Sequence, residues 1–575
     1  METKTGTRHK KNPEQEKILL VLLPYWTPLI PPVGISCLKS FLQQHGYHVI
    51  TADANIIEEF KKIYNEYFAA LEEAVPANKK GNFFSIGHDV LQNHMTAYLN
   101  YENKREYIEL IKTLVFKTFY CRIHDDQALE LHKTIDEFYT RLENYILSLL
   151  EKENPAILGI SVNSCTLPAS IFAFELTRRK YPHIKTVMGG GIFCDQLAPR
   201  TPNFETLLET SKDYIDNIIV GEGEILFLKL LRGELPPSQR VFTPSDINRE
   251  ALDLSAVEAP DFSDLDLQLY PYLSAYASRG CPFQCSFCSD SLMWGKYRKK
   301  KAKQVVEELT RLSRKHDYQL FMLSDLLLNP VMADISNEFI NSGTAVYWDG
   351  CLRADKDACS IKNTQLWRRG GFYRARLGLE SGSQRVLQLM GKKVTPAQIK
   401  EAVSCLAFTG IQTTTLWIVG YPGETEEDFI QTLNLIEELK DDIYEAECRP
   451  FYYYLTGQAN SARWEKENKH IPLYPAEMEK LLLFQTWILD GLPSREETYQ
   501  RVNRFVQHCD KLGIPNIYSL HDTYKADERW KKLHKNAVPP LLEFKKRGVY
   551  IKECKYFEEA YFIQDTVKED GDFGF

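Results

Sequence analysis

The chain has 575 residues, 44% hydrophobic, 26% charged and 12% aromatic, with 70 basic and 78 acidic side chains for a formal charge of −8. At roughly 100 to 200 residues per domain this is enough for about three or four packed cores, which excludes disorder as the main state. The near balance of charge excludes a chain-wide attraction to nucleic acid or an anionic membrane.

The polar residues 1 to 16 lack the apolar middle of a secretory signal and read as a disordered tail on a cytoplasmic protein. KILLVLL, residues 17 to 23, reads as a buried parallel strand; Pro24 breaks the longest apolar run well short of a ~18-residue membrane span. Ile35, Leu38, Phe41 and Leu42 follow at helical spacing, closed by Gly46, and HVITAD (48 to 53) is the next strand. The alternation resumes with AILGISV (156 to 162), an amphipathic helix near Ser170 to Lys180, KTVMGGG (185 to 191) and NIIVGEGE (217 to 224). This cadence predicts an α/β fold, a doubly wound Rossmann-like sheet over residues 17 to 235. Residues 57 to 150, charged, aromatic-rich and nearly free of glycine, read as a helical insertion; residues 236 to 270, with four prolines, read as a linker.

From residue 271 to 455 six further strand-like runs recur every 30 to 40 residues or so: YLSAYASRG, QLFMLSDL, AVYWDGCLR, YRARLGLE, TTTLWIVG and ECRPFYYY. They predict a partial (β/α)6 barrel of the TIM type, with its chemistry at the carboxyl ends of the strands. Tyr452, Tyr453 and Tyr454 are placed at the end of the sixth strand, with alternate side chains toward the barrel. Residues 456 to 575 read as a mainly helical cap or substrate-binding region. KYRKKKAK (296 to 303) reads as a solvated helix start, and His521 and His534 as surface or packing residues.

Thirteen cysteines are too few for a disulfide scaffold in this length, and three of them, Cys281, Cys285 and Cys288, share one loop after the first strand of the second alternation. Three thiolates on a short loop suit three irons of a 4Fe-4S cluster, leaving the fourth iron open to a ligand. Zinc would need a fourth ligand, for which Cys351 is a distant candidate.

CPFQCSFC directly after a strand, at the head of six βα units, resembles the radical S-adenosylmethionine (SAM) enzymes, and Phe287 before the third cysteine fits them too. The resemblance implies that the open iron is chelated by SAM, whose reduction yields a 5′-deoxyadenosyl radical. It further implies contacts to SAM from Ser324 and Asp325 after the second strand, from Arg353 after the third and from Glu380 and Ser381 in GLESGSQR. Gly420 in IVGYPGETEEDF stands where the family backs the adenine. A doubly wound sheet before such a barrel resembles the cobalamin-binding subclass. That resemblance assigns Ser161, Gly189, Gly190, Gly191, Gly221 and Glu222 to the cobalamin crevice; no histidine lies in PYWTPLIPPVG (24 to 34) to ligate cobalt from below.

The activity implied is that of a cobalamin-dependent radical SAM C-methyltransferase. It would act on an unactivated carbon of a peptide or a natural-product intermediate, through the deoxyadenosyl radical and methylcobalamin. Ring contraction or cyclisation without methyl transfer is the alternative within enzymology, and a cobalamin sensor or carrier the alternative outside it. The implied partners are the substrate and a one-electron reductant such as flavodoxin or ferredoxin, with neither membrane nor nucleic acid.

Overall fold

The structure, a computed structural model, describes residues 16–25, 30–458, 460–516 and 520–534. The predicted tail before Glu16, turn residues 26–29, the side chain of His521 and the chain from 535 onward lie outside them.

Six strands form the first sheet: β1 (Ile18–Leu22), β2 (Val49–Asp53), β3 (Ile157–Ser161), β4 (Lys185–Gly189), β5 (Asn217–Ile219) and β6 (Val241–Phe242). All are parallel, in the order β2-β1-β3-β4-β5-β6. All five residues of β1 are buried, as expected of a central parallel strand covered on both faces. The chain runs outward in opposite directions from β1 and β3, so a crevice opens between their carboxyl ends. The segment read as a linker supplies β6, which zips onto β5, so the sheet extends beyond residue 235.

Between β2 and β3 stand four helices, Glu58–Ala74, Phe83–Asn100, Lys104–Phe119 and Asp125–Glu153. Their apolar stripes, with Phe60, Phe68, Leu114 and Phe138 among the buried residues, share one core with Leu19 and Val21 of β1. Leu473, Tyr474, Leu481 and Tyr499 join that core from the far end of the chain.

The second sheet holds β7 (Leu273–Ala275), then, beyond the two-residue ladder β8 (Ser278–Arg279) with β9 (Arg298–Lys299), strands β10 (Leu320–Leu323), β11 (Tyr347–Leu352), β12 (Phe372–Glu380), β13 (Gln412–Val419) and β14 (Glu445–Pro450). Each pairs in parallel with its predecessor, β7 and β14 being the edges, which is a six-stranded partial barrel. Helix starts are fixed by capping boxes, Thr395 with Gln398 and Thr425 with Asp428. Across β11, β12 and β14 the buried faces carry charge: Asp349 accepts from Arg374 at 3.0 Å and Arg376 at 2.9 Å, and Arg374 reaches Glu445 at 3.3 Å.

Two expectations are corrected. β14 ends at Pro450, after which only the Phe451 N–H still reaches Val419, so Tyr452 to Tyr454 belong to a loop and not to a strand. The region after 456 is mainly helical as expected, with one antiparallel hairpin, β15 (Lys469–Pro472) with β16 (Trp487–Asp490), between its helices. The basic run at 296 to 303 is partly internal: Arg298 lies in β9 against Glu222, and Lys300 is buried against Glu308 at 2.6 Å. His534 packs on Trp530, with ring centroids 3.9 Å apart. Among the described residues no helix is long and apolar enough to cross a membrane.

Candidate functional site

The loop carrying Cys281, Cys285 and Cys288 is tied down from three directions. The Ser286 N–H donates to the Met390 carbonyl at 2.9 Å, and its hydroxyl meets the Tyr421 hydroxyl at 2.6 Å. Gln458 donates from Nε2 to the carbonyls of Phe287 at 2.9 Å and Tyr452 at 2.8 Å. None of the three cysteines forms a disulfide among the described residues, and all three are partly buried. Burial raises the Cys281 thiol pKa, and so does neighbouring Cys285, against the Phe283 backbone and the positive charges of Arg353 and Lys392. Among the described residues no three His, Cys, Asp or Glu side chains converge closely enough to hold a metal ion.

Arg353, just past β11, is 4% exposed, with its guanidinium carbon 4.1 Å from the centre of the Phe283 ring and Nη1 3.7 Å from the Cys285 sulfur. Its Nη2 is buried without a partner. A buried guanidinium with an idle donor is a site for an anion, carboxylate above all. Glu380, in a left-handed conformation at φ 64°, accepts from Lys392 Nζ at 2.7 Å, and that ammonium stands 5.6 Å from the centre of the Phe287 ring. Phe287, Arg353 and Glu380 thus gather around the cysteine loop.

Other predicted residues are engaged with the protein. Asp325 is 3% exposed and accepts from the Ala277 N–H at 3.0 Å and from the Ser278 hydroxyl, which fixes the strand entering the cysteine loop. Burial, only partly offset by those bonds, raises its pKa to about 6. Ser324 pairs with Ser274 at 2.7 Å. Ser381 is fully buried, its hydroxyl 3.3 Å from that of Thr432 and accepting from the Ser383 N–H at 3.1 Å. Gly420 has φ 78°, and a β-carbon there would lie 2.2 Å from Thr498 of the helix Arg495–Lys511. Its N–H donates at 2.8 Å to Glu424, whose pKa burial raises to about 7 despite the ion pair with Arg501 at 2.8 Å.

In the first domain, Ser161, Gly189, Gly190, Gly221 and Glu222 line one cavity of about 140 Å³ with Leu20, Phe227 and Trp294. It lies at the carboxyl ends of β3 to β5, closed from the barrel side by Tyr276 and Trp294. Gly190 (φ 117°) also answers a packing demand, since a β-carbon would lie 2.3 Å from the Val162 carbonyl oxygen. Gly191 stands outside this cavity's lining, close against Asn163. Glu222 accepts from Arg279 at 2.7 Å and Arg298 at 2.9 Å, while Glu224 takes the other Arg279 nitrogen at 2.6 Å. Burial would raise the Glu222 pKa, but the two arginines more than offset it.

Sequence reasoning missed two groupings. Cys194, after β4, sits 3.9 Å from Asp290, two residues past Cys288, so the first domain's loop meets the cysteine loop. A second cavity, of about 120 Å³, lies between the insertion, the carboxyl ends of β13 and β14, and residues 468 to 499. It is lined by the loop tyrosines together with Asp89 and Arg495. The tyrosine run was its one visible signal; residues more than 400 positions apart cannot be joined by spacing.

Residues 276–436 match the family model of the radical SAM superfamily. The chain is 27% identical over 332 residues to the anaerobic magnesium-protoporphyrin IX monomethyl ester cyclase of Rubrivivax gelatinosus, a match covering 52% of this chain and 57% of that relative. The chain therefore spans little more than half the length of that curated relative. Among solved structures it superimposes on the radical SAM methyltransferase TsrM of Kitasatospora setae, with tryptophan and a SAM analog bound, at TM-score 0.58 and 14% identity, covering 95% of this chain and 100% of that one. The cobalamin-dependent radical SAM enzyme OxsB, with aqua-cobalamin and SAM bound, matches at TM-score 0.50 and 16% identity over 97% of this chain and 74% of its own.

Proposed function

Because residues 276–436 carry a radical SAM domain behind a doubly wound sheet, we propose that the chain is a cobalamin-dependent radical SAM enzyme. Its proposed reaction is C-methylation of an unactivated carbon in a peptide or natural-product intermediate. The observation that carries this reading is the Arg353 guanidinium, buried beside Cys285 with an unpaired donor. That donor suits the carboxylate of a SAM molecule held at the cysteine loop.

In this reading Cys281, Cys285 and Cys288 hold a 4Fe-4S cluster, the thiolate donor set such a cluster takes. Arg353 binds the SAM carboxylate, and Glu380, held by Lys392, orients the neighbouring polar end. Asp325 and Ser381 act one step back, fixing the strand ends. The apolar, glycine-edged cavity beside Ser161 suits the nucleotide tail of cobalamin, with Gly189, Gly190 and Gly221 admitting it closely and Gly191 shaping the turn behind it. Glu222 is the tether that holds this crevice against the barrel. Bound in these places, cluster and SAM supply a 5′-deoxyadenosyl radical on one-electron reduction, and cobalamin supplies a transferable methyl group. The chain's own work is to keep substrate in a water-poor cavity between them.

A second reading, ring formation without methyl transfer, is favoured by one observation, the similarity to the Rubrivivax cyclase. The test is anaerobic reconstitution with iron, sulfide and cobalamin, then SAM and a one-electron reductant, with product analysis by mass spectrometry. Methylation predicts both 5′-deoxyadenosine and S-adenosylhomocysteine. Deoxyadenosine alone would replace it with the second reading.

A further inference from the structure

We propose that the cavity between the insertion and the C-terminal region is the substrate's recognition site, and that Asp89 there selects a planar or aromatic group bearing an amine. The proposal deepens the reading above and rests on it for the word substrate; the binding it predicts requires no turnover.

Position comes first. Ser164 and Gln196, from the loops after β3 and β4, line one side of the cavity, and Gly420 and Phe451, at the ends of β13 and β14, line another. A molecule held there lies between the carboxyl ends of both sheets, where each domain's ligands belong. The third side is the helix Phe83–Asn100 and the fourth the chain around β16.

The chemistry of the walls is specific. Tyr452, Tyr454, Tyr474, Phe484, Trp487 and Tyr499 present aromatic surface, suited to a flat group. Among the described residues that line the cavity, two are charged, Asp89 and Arg495. Arg495 is already used: its guanidinium donates to the Lys117 carbonyl and, at 2.7 Å, to the Tyr499 hydroxyl, and lies 4.1 Å from that ring's centre. Asp89 is different. It accepts from Gln92 at 3.3 Å, Tyr452 at 3.2 Å and Tyr499 at 3.5 Å, all long for their type. A carboxylate offers about four acceptor sites, so it retains capacity for a closer, charged donor. An ammonium is the complement, and the surrounding ring faces attract the same cation. A carboxylate ligand would meet repulsion from Asp89 and no idle cation.

The test uses the full-length chain with its cofactors and two probes of similar size and opposite charge, 2-phenylethylamine and 3-phenylpropionate. Binding is followed by ligand-observed saturation-transfer NMR with competition. The amine should bind about tenfold or more tightly than the acid, the worth of one charge-assisted hydrogen bond. Asp89→Asn should bring the two within about threefold, while Asp89→Glu, which keeps the charge, should retain most of the preference. Equal binding of both probes, no binding of either, a preference that survives in Asp89→Asn, or loss in both variants would overturn the proposal. Because the readout needs no SAM cleavage, its failure leaves the radical reading standing, and failure of SAM cleavage leaves the amine preference of the cavity standing while removing the word substrate.

Discussion

Arg353 shows how much one side chain can decide. The family resemblance and its position directly after a strand make it a candidate SAM ligand in sequence; the unpaired Nη2 of a guanidinium whose Nη1 stands beside Cys285 is a fact only of the fold. Arg353→Gln should weaken SAM binding about tenfold or more, with little change in thermal midpoint, checked by equilibrium dialysis and a melt. Unchanged affinity would remove it from the site. Asp325 and Ser381 teach the converse. Both stand at the right strand ends, but sequence does not say which way a polar group faces: Asp325 is spent on Ala277 and Ser278, and Ser381 on a threonine 51 positions away.

At the scale of elements, the strands were legible because parallel, doubly covered strands are short apolar runs, and helices because their stripes repeat. β6 was missed because two residues carry no period, and the β15–β16 hairpin because only one of its strands is apolar. Gly420 was legible as special but for another reason: it lets the helix Arg495–Lys511 sit on the end of β13. Gly420→Ala, with its added carbon 2.2 Å from Thr498 at φ 78°, should cost about 1–3 kcal/mol or more, visible as a lower urea midpoint. The last described helix, Leu520–Leu533, docks through Asp527, which accepts from Gln412 at 2.9 Å and Tyr444 at 2.7 Å. Burial raises the Asp527 pKa to about 7, against those bonds and the Arg374 charge. The folded state then holds a proton that the unfolded chain releases near pH 4, so this contribution is complete at low pH and fades as pH rises through about 7. Asp527→Asn keeps an acceptor for both bonds and should flatten the fall in melting temperature between pH 5 and pH 8. An unchanged slope would assign it to other carboxylates.

For the whole molecule, the two alternations predicted two sheets, but nothing in either predicted how they meet. They meet through Arg279, 5% exposed, which links β8 to Glu222 and Glu224 after β5. Removing one partner of a buried pair typically costs about 3–5 kcal/mol, so Arg279→Met should lower the urea midpoint sharply, whereas Lys303→Ala on the exposed face of the next helix should not. The insertion, mute as sequence, acquires a role once the chain is folded: it supplies one wall of the cavity between the sheets, and the C-terminal region supplies another. The measurement that tests the central claim most directly compares the reconstituted chain with Cys285→Ala for cluster content and 5′-deoxyadenosine formation under a strong reductant. The account predicts deoxyadenosine from the parent chain, and from the variant neither an intact four-iron cluster nor SAM cleavage. SAM cleavage retained by Cys285→Ala, or absent from a parent chain carrying a full cluster, would contradict it.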